Sequence, residues 1–188
     1  MFAETLAPGI LLAAPTLADT FFEQSVIVLL EANDEGAMGF MVNRPIAVTL
    51  GDLATSMSFP ICDDYRYDRV FVGGPVRPQR GWVFARRNER TPDNLNIDFD
   101  LGDDLIILTE VDALRALLNT PDQEFRLMLG YSGWGEEQLQ EELRDGSWIT
   151  HTMDADAVFS HEPAALWQVL LDIQGFDAQM FWGRPISE

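Results

Sequence analysis

Short apolar runs closed by turn-forming residues set the strongest limit on how this chain can fold. The runs are only a few residues long and end at Gly, Pro, Asn or Asp, which is typical of β-strands. The predicted strands are Ile10–Ala14, Ser25–Glu31, Met38–Asn43, Arg69–Gly73, Trp82–Arg86, Leu105–Thr109, Phe125–Tyr131 and Ala157–Ser160. Asn33, Asp34 and Gly36 separate the second strand from the third, and these turn formers predict a β-hairpin. Strict alternation over Leu95–Leu101 indicates a half-buried strand or an extended edge.

Helices are fewer than strands and mostly short. Thr49 and Thr109 are each followed three residues later by an aspartate, the spacing of a relaxed capping box at a helix start. Another helix is predicted over Glu136–Arg144, because Asp145–Gly146 behind it is a good stop signal. The last helix begins near Pro163, since proline is favoured at the first helical position. Strands in hairpin-like succession with few helices predict an α+β fold.

The charge of the chain excludes several classes of partner. Its 188 residues contain 12 arginines, no lysine and 31 acidic residues, for a net charge of −19, and this length predicts a single domain over residues 1–188. Because such a charge repels phosphate backbones and anionic lipids, we expect no direct nucleic-acid partner and no membrane partner. One cysteine, Cys62, excludes an internal disulfide and a four-cysteine zinc site. With no secretion signal and no apolar run of about 18 residues, the sequence predicts a cytoplasmic protein.

One basic segment departs from this acidic composition. Arg77–Arg90 contains five arginines and a single acid, Glu89. Arginine side chains match carboxylate and phosphate groups, so the segment can be interpreted as an anion site. The alternative is that these arginines neutralise neighbouring acidic loops on an exposed face. We favour the alternative because exposed charge pairs are common and individually weak.

The sequence contains no pattern that identifies a nucleophile. Ser132 lies between glycines in Gly130–Gly135, but the Gly-x-Ser-x-Gly frame of a nucleophile elbow is absent. A catalytic triad would need His151 or His161 as its base, and no spacing supports that role. We therefore predict no catalytic residue.

Two groups of polar residues imitate metal sites. The first consists of His151, Asp154, Asp156 and His161. These residues lack the i, i+4 pairing of helical metal ligands, and loop or capping roles explain them better. The second consists of Asn96, Asp98 and Asp100, where Gly102 falls one position too late for a calcium loop. We predict no metal and no cofactor.

Glycine-rich junctions follow two of the predicted strands. Val72–Pro75 and Gly130–Gly135 allow a positive φ or a close backbone approach, and neither has a phosphate-binding pattern. Asn43-Arg44-Pro45 ends a third strand, where Pro45 holds Arg44 extended and directs its side chain outward.

Taken in order, these segments resemble the AlgH/YqgE family of bacterial proteins over residues 9–183. In the first half, the matching blocks are Gly9–Pro15, Asp19 with Phe22 and Ser25–Ile27, and Gly36–Pro45. In the second half, they are Gly73–Val76 with Arg80–Gly81, and Gly130–Trp134 with Gln138–Leu139 and Glu141–Glu142.

The resemblance implies a single α+β domain whose β-sheets curl into a pseudo-barrel with a few peripheral helices. It implies no established activity. One branch of the family is named for an effect on alginate production and is described as a transcriptional regulator. Because the net charge is −19 and no DNA-binding helix is recognisable, we expect any such effect to act through a protein partner.

Three interpretations of function stay open. In the first, the chain is a binding or regulatory module whose groove forms where the Asn-Arg-Pro turn meets the Gly-Tyr-x-Gly-Trp turn. The candidate binding residues are Asn43, Arg44, Gly73, Gly74, Tyr131, Trp134, Gln138 and Glu142. In the second, the same groove serves a sensor or enzyme: Arg44 holds a small anionic ligand while Glu141 or Glu142 acts as general base. In the third, these residues have a structural role only, at the junctions between strands.

Overall fold

Ten strands join in one curled sheet within residues 6–175, the part of the chain that the computed structural model describes. The predicted domain and the family resemblance extend into residues 176–188, which lie outside the described part. The strands are β1 Gly9–Ala13, β2 Val26–Asn33, β3 Gly36–Met41, β4 Pro45–Thr49, β5 Arg69–Val72, β6 Val76–Arg86, β7 Phe99–Asp100, β8 Leu105–Leu108, β9 Phe125–Trp134 and β10 Trp148–Thr152. The helices are α1 Leu50–Met57, α2 Val111–Leu118, α3 Gln138–Arg144, α4 Ala155–Phe159 and α5 Pro163–Ile173. The architecture is α+β, as the sequence predicts.

Strand β9 connects the two halves of the sheet. The strand order is β10-β1-β2-β3-β9-β6-β8-β7, with every neighbouring pair antiparallel. The final residues of β9 pair with β3, where Gly133 lies opposite Met38. Its earlier residues lie between β6 and β5, and Met128 is opposite Trp82 on one side and Phe71 on the other. Strand β5 is parallel to β9 and carries β4 on its far side.

Both faces of the sheet are covered by apolar cores. Ile10 and Leu12 of β1 pack into an inner core that includes Trp167 of α5. Leu11, between them, packs on the opposite face with Trp148. The indole Nε1 of Trp167 donates to the carbonyl of Ala13 at 2.8 Å, which attaches α5 to this strand. Because adjacent residues are buried on opposite faces, the strands appear in the sequence as unbroken apolar runs.

Several local predictions are confirmed. Thr49 caps α1: its hydroxyl accepts from the Asp52 amide at 3.1 Å, while the Asp52 carboxylate accepts from the Thr49 amide at 3.0 Å. The β2–β3 hairpin pairs Asn33 with Gly36. Helix α3 ends at Arg144, and α5 begins at Pro163, as the spacing predicts.

Other local predictions are wrong for identifiable reasons. Ala157–Ser160 is not a strand, because Asp154 accepts from the Asp156 amide and starts the short helix α4. The predicted Thr109 capping box is absent: the cap residue of α2 is Glu110, and it makes no side-chain capping bond. For the alternating segment Leu95–Leu101, the edge alternative is confirmed in part: Phe99–Asp100 forms the edge strand β7 and pairs with β8, but its residues are exposed rather than half-buried.

Two strands, β4 and β10, have no counterpart among the sequence predictions. All five residues of β4 are exposed or half-buried, and Thr and His interrupt β10. Strand β10 therefore lacks the apolar run on which the predictions depend, and the apolar run of β4, Ile46–Val48, is only three residues long.

None of the helices in residues 6–175 combines the length and apolarity needed to cross a membrane.

The two glycine-rich junctions meet backbone to backbone. Gly73 donates to the Leu129 carbonyl at 2.8 Å and accepts from the Met41 amide at 2.8 Å, so the turn joins β3 to β9. Gly130 has a φ of +71°, and a Cβ placed there would lie 2.5 Å from the Gly74 carbonyl oxygen. A Cβ on Gly74 would in turn collide with the backbone of Tyr131. The sheet can curl here only because these positions lack side chains.

Replacing Gly130 tests this crossing. We expect Gly130→Ala to destabilise the protein more than Gly102→Ala, which shares a positive φ but has nothing within 4 Å of the added Cβ. Gly102→Ala adds only the left-handed strain, about 1–2 kcal/mol. Gly130→Ala adds a steric cost of about 1–3 kcal/mol as well. Urea unfolding measures both variants, and equal losses of unfolding free energy would contradict the close approach.

Candidate functional site

A cleft of about 410 Å³ opens between the β2–β3 hairpin and the end of β9; we call it the hairpin cleft. Its polar lining consists of Glu31, Asn33, Glu35 and the phenol ring of Tyr131. Its remaining lining includes Met38, Val76 and Trp134, together with Gly36, Ala37 and Gly133. Of the candidate residues, Tyr131 and Trp134 border this cleft, but Trp134 is only 6% exposed and its ring packs with Trp148 in the core on the other face of the sheet. The two carboxylates of the cleft are exposed and were not singled out in the sequence.

Glu142 fixes Trp134 from behind the hairpin cleft. Its Oε2 accepts from the indole Nε1 of Trp134 at 2.8 Å and from that of Trp148 at 2.7 Å. Its Oε1 accepts from Nε2 of Gln138 at 2.9 Å, and the Gln138 Oε1 accepts from the Gly135 amide at 3.0 Å. Charge-assisted bonds of this kind are stronger than neutral ones and hold both indoles in place. Both oxygens of Glu142 are therefore committed to structural donors.

Asn43 and Arg44 hold the loop that precedes β2. The Asn43 side chain accepts from the Val26 amide and donates to the Gln24 carbonyl, both at 2.9 Å. The Arg44 guanidinium donates through Nη1 to the Phe21 carbonyl and through Nη2 to the Glu23 carbonyl, the latter at 2.8 Å. Its Cζ also lies 5.5 Å from the centre of the Phe21 ring. These contacts engage the Arg44 side chain within the protein.

Arg44 and Trp134 stand at the two ends of a row of aromatic rings. Phe21 contacts Phe22 edge to face at 5.2 Å, and Phe22 contacts Trp148 at 5.6 Å. Trp148 then meets Trp134 at 5.8 Å, again edge to face. The structure thus joins Trp134, Gln138 and Glu142 directly, and it reaches Arg44 only through three further aromatic rings.

Gly73 and Gly74 support the hairpin cleft from beneath. Ser132, fully buried, donates from its hydroxyl to the Gly73 carbonyl at 3.1 Å. Gly74 packs against the backbone of Tyr131, whose ring leans on Trp82 at 6.2 Å. These glycines allow the backbone of Tyr131 to approach closely and so position its ring, and they contribute no side chain to the cleft.

The basic segment neutralises neighbouring acids, as the favoured interpretation predicts. Arg86 pairs with Glu124 at 2.7 Å and with Asp156 at 2.6 Å. Arg87 pairs with Asp100 at 2.8 Å, and Arg90 pairs with Asp122. Arg80 lies over the Trp82 ring, with its Cζ 4.5 Å from the ring centre.

The residues that imitate metal sites have other contacts. Asp154 caps α4, Asp156 pairs with Arg86, and Asp100 accepts from the Gly102 amide at 3.0 Å. Within residues 6–175, no three His, Cys, Asp or Glu side chains stand close enough to share a metal ion.

Another cavity, of about 500 Å³, is lined by Arg126, which is not among the site residues predicted from the sequence. Arg126 lies in β9, and its Nη1 donates to the Val42 carbonyl at 3.0 Å. Its Cζ is 4.8 Å from the centre of the Phe71 ring. The signal that could have found it is the single charge within the apolar run Phe125–Tyr131. A single charged residue does not contradict a predicted strand, because alternate residues of a strand can point to an exposed face. Arg126 therefore did not stand out as a site residue.

Comparison with known proteins gives a consistent result. A family model described as AlgH-like matches residues 10–179. The UPF0301 protein of Myxococcus xanthus is 39% identical over 185 residues, covering 98% of this chain and 99% of the relative. The UPF0301 protein of Shewanella loihica is 38% identical over 181 residues, covering 93% and 94%. These relatives match nearly end to end.

Two solved structures share the fold. The solution structure of the AlgH protein from Pseudomonas aeruginosa superposes with a TM-score of 0.71 and 27% identity, covering 97% of this chain and 96% of that one. A crystal structure of a protein from Corynebacterium diphtheriae, DIP2367, has a TM-score of 0.68 at 18% identity, with 94% and 91% covered. The curled α+β architecture is common to all three.

Removal of the Glu142 carboxylate tests its role as a shared acceptor. We expect Glu142→Ala to lower the free energy of unfolding by about 2–4 kcal/mol, because two buried indole N–H groups lose their partner. Glu141→Ala, on the exposed face of the same helix, is the control and changes stability by less than about 0.5 kcal/mol. Chemical denaturation followed by tryptophan fluorescence measures both. Equal stability of the two variants would contradict the structural assignment.

Truncation of Arg44 tests whether it holds the preceding loop. In Arg44→Met, we expect the amides of Glu23 and Ser25 to exchange hydrogen at least about tenfold faster, because two charge-assisted bonds to loop carbonyls are lost. Arg66→Met is the control, since Arg66 bonds only a surface aspartate, Asp63, in the described part of the chain. Unchanged exchange in Arg44→Met would show that the loop holds without the guanidinium.

Proposed function

Because this chain belongs to the AlgH-like family, whose similar members carry names that state no activity, we propose a function from the geometry of the hairpin cleft. The protein is a binding module, and its partner is a protein whose basic segment enters this cleft. The observation that carries the proposal is the placement of Glu31 and Glu35 beside Tyr131 on one concave surface.

The chemistry of the lining supports a basic segment. Glu31 and Glu35 supply two negative charges, and the aromatic face of Tyr131 can receive a cationic side chain. Met38 adds a flexible apolar wall that adapts to different contact shapes. A net charge of −19 also steers positively charged partners toward the protein and repels acidic ones.

The rigidity of the lining supports binding as well. Trp134 is held by Glu142, and the Tyr131 ring is seated on the glycine crossing. The buried Trp134 thus stabilises the strand that carries Tyr131. A preorganised tyrosine ring loses little conformational entropy when a partner docks, and tyrosine is a frequent binding anchor. We further propose that any effect on transcription passes through such a protein contact, and that the protein works in the cytoplasm.

The alternative, a sensor or enzyme for small anions around Arg44 and Trp134, gains no support from these contacts. The Arg44 guanidinium is engaged with the Phe21 and Glu23 carbonyls, and both Glu142 oxygens accept structural hydrogen bonds. The charged side chains that line the hairpin cleft, Glu31 and Glu35, are negative, which disfavours an anionic ligand there.

A displayed library of random decapeptides tests the proposal. We expect the enriched peptides to contain Lys or Arg and to bind less tightly as salt is raised. In Glu31→Gln/Glu35→Gln, their affinity should fall about tenfold, because two charge contacts are lost. Fluorescence anisotropy with a labelled enriched peptide measures the change.

The matched control is Glu89→Gln/Asp93→Asn, which removes two acidic charges from an exposed loop outside the cleft lining. This variant should bind the peptide as the unaltered protein does. Enrichment of neutral or acidic peptides, or equal binding by the two double variants, would refute the basic-segment proposal.

A further inference from the structure

A second cleft, separate from the hairpin cleft, contains the cavity of about 500 Å³ around Arg126; we call it the arginine cleft. It lies where β5 and the start of β9 face the junction between α4 and α5. Its apolar lining includes Phe71, Phe159 and Pro163. Its charged lining consists of Asp68, Arg69, Glu124, Arg126 and Glu162. The proposed function uses none of these residues.

Arg126 is a cation without a bonded carboxylate. No Asp or Glu oxygen in residues 6–175 lies within the 4.0 Å of an ion pair, and its one hydrogen bond there is to the Val42 carbonyl. Burial lowers the pKa of Arg126 to about 10, so the group stays charged at neutral pH. A guanidinium has five N–H donors, and within residues 6–175 only one of those on Arg126 is used, in the bond to the Val42 carbonyl.

Two carboxylates in the arginine cleft also lack an ion-pair partner among the described residues. Glu124 is already paired with Arg86 at 2.7 Å. Asp68 and Glu162 appear in no ion pair there, although both act on Arg126 through their charge. Burial raises the pKa of Asp68, which indicates that its carboxylate is partly withdrawn from water.

The charges of the arginine cleft balance without pairing. With the Glu124–Arg86 pair set aside, the charged residues that line the cleft are two arginines, Arg69 and Arg126, and two acids, Asp68 and Glu162. Arg69 also donates to the Ile46 carbonyl at 3.0 Å. A purely anionic ligand would satisfy Arg126 but meet two carboxylates. A purely cationic ligand would meet the arginines. A ligand with both charges, separated by a few bonds, matches the cleft.

We propose that the arginine cleft binds a zwitterionic ligand of the amino-acid class, an apolar amino acid or dipeptide. The ligand carboxylate takes the free N–H groups of Arg126 in a bidentate contact. Its ammonium group lies toward Asp68 and Glu162. Its apolar side chain packs against Phe71 and Phe159, and a cavity of about 500 Å³ accommodates a molecule of this size.

Titration with the dipeptide leucyl-phenylalanine tests the proposal. Amide chemical shifts of the protein follow the binding, and we expect saturable changes at residues of the arginine cleft. N-acetyl-leucyl-phenylalanine lacks the ammonium, and leucyl-phenylalanine amide lacks the carboxylate. Each should bind at least about tenfold more weakly than the free dipeptide, because one buried charge is then left unpaired.

Protein variants locate the site. Arg126→Met should weaken dipeptide binding at least about tenfold. Arg115→Met is the matched control, since Arg115 also stacks on an aromatic ring, with its Cζ 4.4 Å from the Phe59 ring centre, and lies outside the cleft lining. It should bind as the unaltered protein does. Should Arg126→Met fail to fold, Glu162→Gln tests the proposal instead. This variant should bind the free dipeptide more weakly and bind the acetylated dipeptide as the unaltered protein does.

Four outcomes would overturn the proposal. The first is the absence of saturable shifts up to about 10 mM dipeptide, a concentration above the weakest useful affinities. The second is binding of the acetylated or amidated form as tightly as the free dipeptide. The third is equal loss in Arg126→Met and Arg115→Met. The fourth is full binding by both Arg126→Met and Glu162→Gln.

Discussion

The architecture depends on one backbone crossing, where Gly73 and Gly74 pass over Gly130 and Tyr131. The two chain segments can approach this closely because Gly73, Gly74 and Gly130 have no Cβ at the points of contact. The crossing lets β9 leave its pairing with β5 and continue alongside β3, so that one strand serves both halves of the sheet. The two faces of the curled sheet then close over separate apolar cores, and the hairpin cleft lies directly beyond the crossing.

The residues that make this family recognisable act largely on backbone geometry. Asn43 and Arg44 secure the loop before β2, the glycines permit the crossing, and Gln138 with Glu142 fixes Trp134. Only Tyr131 and Trp134 of the candidate residues line a cleft. A shared motif can therefore preserve the shape of a surface while the charges around it come from residues outside the motif, here Glu31 and Glu35.

Local physics explains which predictions from sequence succeeded. The apolar strands, the Thr49 cap, and the ends of α3 and α5 follow from neighbouring residues alone. Strand β10 escaped prediction because Thr150, His151 and Thr152 interrupt its apolar character, and its register comes from pairing with the distant β1. The hairpin cleft could be predicted only in part, since strand pairing across the sheet brings Glu31 and Tyr131 to the same cleft. In the sequence, Arg126 is marked only as one charge in an apolar run. Its cavity could not be predicted, because part of the lining comes from α5, far along the chain.

Because one carboxylate accepts hydrogen bonds from two indoles, the order in which these three residues can be substituted during evolution matters. If Trp148 changes first, Glu142 still accepts from Trp134 and Gln138, and the surviving bonds keep the arrangement viable. If Glu142 changes first, both indoles lose their acceptor in a single step. The tryptophans can therefore be replaced one at a time in a lineage, whereas the glutamate becomes dispensable only after both have gone.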